Sequence, residues 1–119
     1  MIHLRTPRFT LWAAYGGGSL PRRVEACVRP EAIAVEPAGD GDSGRNRLPA
    51  RIVDEVATSL HHTLYCQVGD EAGDRSGPDL EVLVPARTYR ALRLPATGGC
   101  TLVVPPDAVH IIGAGAADN

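Results

Sequence analysis

Hydrophobic and polar positions along this chain alternate over short stretches and seldom recur at helical spacing. The alternation is plainest from Thr63 to Val68, where Leu64, Cys66 and Val68 fall on one face and Thr63, Tyr65 and Gln67 on the other. That period of two is the signature of a half-buried strand. Leu80, Val82 and Val84 repeat it until Pro85, and the polar loop Gly69 to Asp79 joins the two as a hairpin with a long connection. Phe9, Leu11, Ala13 and Tyr15 share a face of a shorter strand, with Trp12 opposite, before Gly16-Gly17-Gly18-Ser19 closes it in a flexible turn. Val24 to Arg29 is a strand ended by Pro30, which removes a donor from the ladder, and Ile33 to Glu36 resumes extended structure as far as Pro37. Ala38 to Arg47 is a polar loop. Leu48 to Thr58 carries Ile52, Val53 and Val56 among charged neighbours, the pattern of a strand broken by a bulge. Ala86 to Arg93 is the one helical segment, with Ala86, Tyr89 and Leu92 at helical spacing and Pro95 stopping the run. Gly98-Gly99 is a turn, Cys100 to Val104 a strand, Pro105-Pro106-Asp107 a rigid corner, and Val109 to Ile112 the last strand.

With 119 residues the chain closes one modest core and is too short for two. Thirteen glycines and ten prolines interrupt long helices. Many short strands, turn-rich loops and one two-turn helix predict an all-β fold, a small OB-like (Greek-key) barrel with one short helix. Residues 1–20 form a leading strand and a glycine-rich turn, 21–113 the barrel domain, and 114–119 a disordered tail; fraying begins at Gly113.

The formal net charge of −2 supplies no basic field for a phosphate backbone, so nucleic acid is not an expected partner. All twelve basic residues are arginine. Without lysine the chain cannot build the phosphate loop of a P-loop ATPase, and no enzyme activity is expected of it. Cys27, Cys66 and Cys100 are odd in number and widely spaced, a pattern of reduced thiols in a cytosolic protein and not of a disulfide framework or zinc knuckle. Arg5 and Arg8 precede an apolar run too short, and too close to Pro7, for a signal peptide, and no stretch reaches membrane-spanning length.

Four segments stand in a distinctive order: Arg29-Pro30-Glu31, then Asn46-Arg47-Leu48-Pro49-Ala50-Arg51-Ile52-Val53, then Val84-Pro85-Ala86-Arg87, then Val104-Pro105-Pro106-Asp107-Ala108-Val109-His110. Their order and spacing resemble the transport-associated OB domain of the second type, the C-terminal accessory domain of ABC importer ATP-binding subunits. The resemblance covers about Pro21 to Gly113. Arg29, Pro30 and Glu31 match the family's R-P-E corner; Pro106, Asp107 and His110 match its closing P-E-x-V-H segment, with aspartate for glutamate. Ser59, Gly98-Gly99 and Val104 depart from the family's glycine, Gly-Asp turn and aromatic residue. The resemblance implies a regulatory domain without an ATP-binding cassette of its own. It would act in solute uptake by contact with an ABC importer ATPase subunit, through which it reaches a membrane permease, or with a second copy of itself. ATP would sit on the associated ATPase, no cofactor on this chain, and the assembly would be cytoplasmic, peripheral to the inner face of the membrane without direct insertion. The alternative is a small oxyanion-binding module of the transport-associated OB kind, as the related domains of another type are, with Arg29 or Arg51 supplying charge.

Other chemistry is thin. His61, His62 and Cys66 offer two convergent metal ligands on one strand face, short of a site unless His3, His110 or Cys100 joins them. Phe9, Trp12, Tyr15, Tyr65 and Tyr89 could stack bases on an OB surface, but the acidic balance points to packing instead. Adjacent Asp54 and Glu55 face opposite sides of a strand and cannot act as a pair on one atom.

Overall fold

The computed structural model describes residues 2–5, 9–15, 24–38, 46–69, 77–95 and 98–114. Nine strands run in chain order among them: β1 (Ile2–Arg5), β2 (Thr10–Ala13), β3 (Val24–Val28), β4 (Ala34–Pro37), β5 (Arg47–Ala57), β6 (His61–Val68), β7 (Leu80–Pro85), β8 (Gly99–Val103) and β9 (Val109–Ala114), with a helix α1 (Ala86–Leu92) between β7 and β8. The central sheet has the order β4-β8-β5-β6-β7, every neighbour antiparallel. β5, β6 and β7 form a meander and β8 returns across α1 to lie beside β5, which is a Greek key. The sheet curls into a small OB-like half-barrel. β1 pairs with β2 and β3 with β9 as two further ribbons.

The alternating residues fill the barrel. Leu64 and Cys66 of β6, Val82 and Val84 of β7, and Cys100 and Leu102 of β8 are all buried, and Leu11 and Ala13 of β2 belong to the same core. β4 and β7 are the sheet's edges, and no ladder joins them among the described residues. A groove of about 230 Å3, lined by Ile33, Val35, Leu83 and Pro85, runs along this seam.

β5 is irregular, as its mixed pattern anticipates. Its register on β6 shifts between Ile52 and Asp54, so Val53 has no cross-strand partner. The inner face then runs Ala50, Ile52, Glu55 and Ala57, opposite Val68, Cys66, Leu64 and His62. One extra residue has exchanged the faces of everything that follows it. Gly98 sits against the bulge with φ +81°, and a Cβ there would lie 2.7 Å from the carbonyl oxygen of Ile52. This close approach, with Ile52 N–H donating to the Gly98 carbonyl at 2.8 Å, is what glycine permits.

Asn46 ties the N-terminal ribbon to the barrel. Its carboxamide oxygen accepts the Trp12 N–H at 2.7 Å, while its nitrogen donates to the carbonyls of Trp12 at 2.7 Å and Val104 at 2.8 Å. The side chain thus pairs with β2 as a strand's peptide group would, inside the protein, at φ 58°. Ala14 N–H completes the attachment by donating to the Pro106 carbonyl at 3.0 Å.

The differences from the sequence reading are local. β1 has no signature in the residue pattern, since four residues carry too little periodicity to register alone. Arg47 begins β5 instead of ending a loop, because Asn46 turns the chain directly into the ladder. β9 continues through Gly113 and Ala114, where fraying was expected, because β3 supplies a partner as far as Val24. α1 ends at Arg93 in a left-handed conformation, before Pro95 takes effect. The turn over residues 16–19, most of the two polar loops, and residues 115–119 of the tail lie outside the described residues.

Replacing Asn46 separates its hydrogen bonds from its backbone geometry. Asn46→Gly orphans buried groups and lowers urea-unfolding stability by about 2 kcal/mol; Asn46→Ala adds left-handed strain of about 1 kcal/mol. Equal stability of both variants and the native chain would show that the carboxamide bridge is idle.

Candidate functional site

Arg29, Pro30 and Glu31 lie at the corner between β3 and β4. Pro30–Ala32 form one turn of 3₁₀ helix, closed by the Ala32 N–H donating to the Arg29 carbonyl at 2.9 Å. The rigid φ of proline at the first position sets this turn. Arg29 and Glu31 are exposed on either side of it. Pro106–Ala108 form a second such turn between β8 and β9, closed by the Ala108 N–H on the Pro105 carbonyl at 2.9 Å. Asp107 is exposed on that turn, and His110 is exposed in β9, opposite Cys27 of β3. The first turn packs on β7 and the second on β2, so the two segments serve different parts of the fold.

The histidines and cysteines of the metal candidate are not brought together. His61 is exposed, whereas His62 faces inward and its Nδ1–H donates to Glu55. Tyr89 of α1 lies flat on the His62 ring, 4.0 Å between centroids at 15°, and its hydroxyl donates to the other Glu55 oxygen at 3.2 Å. Glu55 therefore holds both rings by their edges while they stack by their faces. In the neutral imidazole this leaves Nε2 as the acceptor. A single oriented imidazole is half of a general base or metal site, and no group of three His, Cys, Asp or Glu able to hold a metal occurs among the described residues. The visible work of the cluster is to pin α1 on the β5–β6 hairpin, where Ala86 N–H also donates to the Leu60 carbonyl at 2.8 Å. Burial first, then the Glu55 charge and hydrogen bond, hold the Tyr89 phenol above its usual value.

Cys66 meets Cys100 in the core instead of a histidine. The hydrogen bond between the two thiols, reinforced by burial, pushes the Cys66 thiol far above its ordinary range. Burial in apolar surroundings keeps Cys66 a thiol. Cys27 is exposed.

The outer face of β5, β6 and β7 is the other polar surface of note. Asp54, Tyr65 and Glu81 occupy one row across the three strands, and Val56, Thr63 and Leu83 occupy the next row on the same face. Tyr65 stands between two carboxylates. Partial burial, a hydrogen bond to Glu81 and the charges of Glu81 and Asp54 hold its phenol above the usual value. An aromatic ring set between carboxylates repels a phosphate backbone. Beyond the row the β5–β6 hairpin exposes Val53, Val56 and Leu60, the last 70% accessible. Among the described residues no helix is long and apolar enough to cross a membrane.

Two outcomes follow from this chemistry. In the native protein Cys27 reacts with an aromatic disulfide reagent, while Cys66 and Cys100 react only after denaturation; rapid labelling of all three would contradict the sealed pair. The Tyr65 and Tyr89 rings, followed by their NMR signals, ionise above about pH 10, and Glu55→Gln moves Tyr89 back down. Since a phenol whose pKa is raised by folding stabilises the fold only while protonated, stability is lost as pH climbs through the folded-state value. An unmoved Tyr89 titration in the variant would remove Glu55 as the cause.

No protein-family model, curated protein or solved structure matches this chain.

Proposed function

We propose that this chain is an accessory domain of an ABC importer ATPase, acting by protein contact in solute uptake and leaving nucleotide turnover to a partner. The observation that carries the reading is the placement of its two most distinctive segments. Arg29-Pro30-Glu31 and Pro106-Asp107-Ala108-Val109-His110 each form a one-turn 3₁₀ corner that feeds a strand, β4 and β9 respectively. Rigid proline corners at the ends of a small all-β barrel are what the resemblance to the transport-associated OB domain requires of those residues. The exposed Val53, Val56 and Leu60 on a projecting hairpin add apolar surface suited to a protein partner. In this reading the domain reaches the inner face of the membrane through the ATPase and its permease, and the partner's ATP is the only nucleotide involved.

The test is co-expression with the cassette ATPase encoded nearest its gene. Co-elution of the two polypeptides, with a several-fold change in ATP hydrolysis on adding this chain, is the expected result. A chain that elutes alone and leaves hydrolysis unchanged would overturn the reading.

A further inference from the structure

We propose that the outer face of the β5–β6–β7 sheet is a docking surface for an arginine-bearing segment of a partner protein, with the guanidinium over Tyr65 between Asp54 and Glu81. The inference rests on reading the chain as a contact module, and goes beyond it by naming the surface and the chemistry it accepts. Its basis is the register. Asp54 lies opposite Tyr65, and Tyr65 opposite Glu81, so one aromatic ring is flanked across the ladder by a carboxylate on each side. Side chains directly opposite on one face stand ~5 Å apart at Cβ, within reach of a single planar cation.

The two carboxylates are complementary to a cation, and Arg51, opposite Gln67 in the neighbouring row, is a cationic side chain of this chain on the same face. Both carboxylates are exposed. Asp54 spends one oxygen on the N–H of Glu55, at 2.8 Å, and keeps the other. Glu81 accepts a hydrogen bond from the Tyr65 phenol, which holds the half-buried ring by its hydroxyl. A guanidinium satisfies this arrangement better than an ammonium, since it can stack on a ring and donate to carboxylates on both sides at once. The next row supplies apolar neighbours on either side of Thr63: Val56, 53% accessible, and the half-buried Leu83. The matching partner segment therefore presents arginine next to an aliphatic side chain.

The probe is a terminally blocked valine-arginine-valine tripeptide, titrated into the full chain and followed by NMR. Saturable shifts centred on Asp54, Tyr65, Glu81 and Val56 are expected. The citrulline counterpart, isosteric but neutral, should bind about tenfold more weakly. Asp54→Asn and Glu81→Gln should each weaken the arginine peptide several-fold, Tyr65→Phe should retain binding because the ring remains, and Tyr65→Thr should lose it. Equal binding of the citrulline peptide, shifts mapping elsewhere, or no saturation at millimolar peptide would overturn the proposal. So would peptide-free shifts of the same residues with rising protein concentration, which would assign the face to a second copy. If the peptide fails while the chain still co-elutes with a cassette ATPase, the face is wrong and the contact reading stands. If the peptide binds while co-elution fails, the face stands with a partner of another kind.

Discussion

A single unpaired residue in the longest strand decides what each face of this barrel presents. Strand side chains alternate with a period of two, so one inserted residue reverses inside and outside for all that follow. Before Val53 the core-facing positions of β5 are Ala50 and Ile52; after it they are Glu55 and Ala57. Without the bulge Asp54 and Val56 would point inward, and Glu55 would stand on the outer sheet. With it Glu55 meets His62 and Tyr89, and Asp54 joins Tyr65 and Glu81. The inner cluster and the outer row are two consequences of one irregularity, and Gly98 provides the space in which it sits.

The second constraint is the attachment of the N-terminal ribbon. Among the described residues β1 and β2 have no ladder to the central sheet, yet Leu11 and Ala13 occupy its core. A ribbon that buries apolar residues also buries main-chain groups, and those must find partners. Asn46 answers the need with a side chain that donates and accepts as a peptide does. Its own left-handed backbone starts β5, and its carbonyl accepts the Val104 N–H at 3.0 Å. Three parts of the chain thereby meet at one residue. The hydrogen bonds are worth little individually in net terms, but each missing one would leave a buried polar group unpaired.

Much of this fold was legible from residue order, because period-two alternation is a local property. β6 and β7 follow directly from Leu64, Cys66, Val82 and Val84, and the proline corners follow from fixed φ. The β5 bulge was legible as a mixed pattern, though its position was not, since either Val53 or a neighbour satisfies the sequence equally well. What stayed hidden depends on contacts distant along the chain. Asn46 reads as one polar residue in a polar loop until Trp12, 34 positions away, is placed beside it. Cys66 and His62 share a strand face, as their spacing indicates, but the face alone cannot say that Cys100 and Glu55 claim them.

These assignments also explain how polar groups are divided between the two sides of the sheet. On the helix side of the sheet the exposed carboxylate of Glu55 is saturated: both of its oxygens are engaged by neutral or cationic donors that belong to the fold. Outside, Asp54 and Glu81 are solvated and engage only a main-chain N–H and a phenol, leaving lone pairs in excess. A group whose partners are internal fixes structure, whereas an acceptor with unused capacity on an exposed face is free to meet something else. The same strand carries both kinds of carboxylate, one residue apart, and the bulge that separates them is what lets a 119-residue barrel both hold its helix in place and keep an acidic face outward.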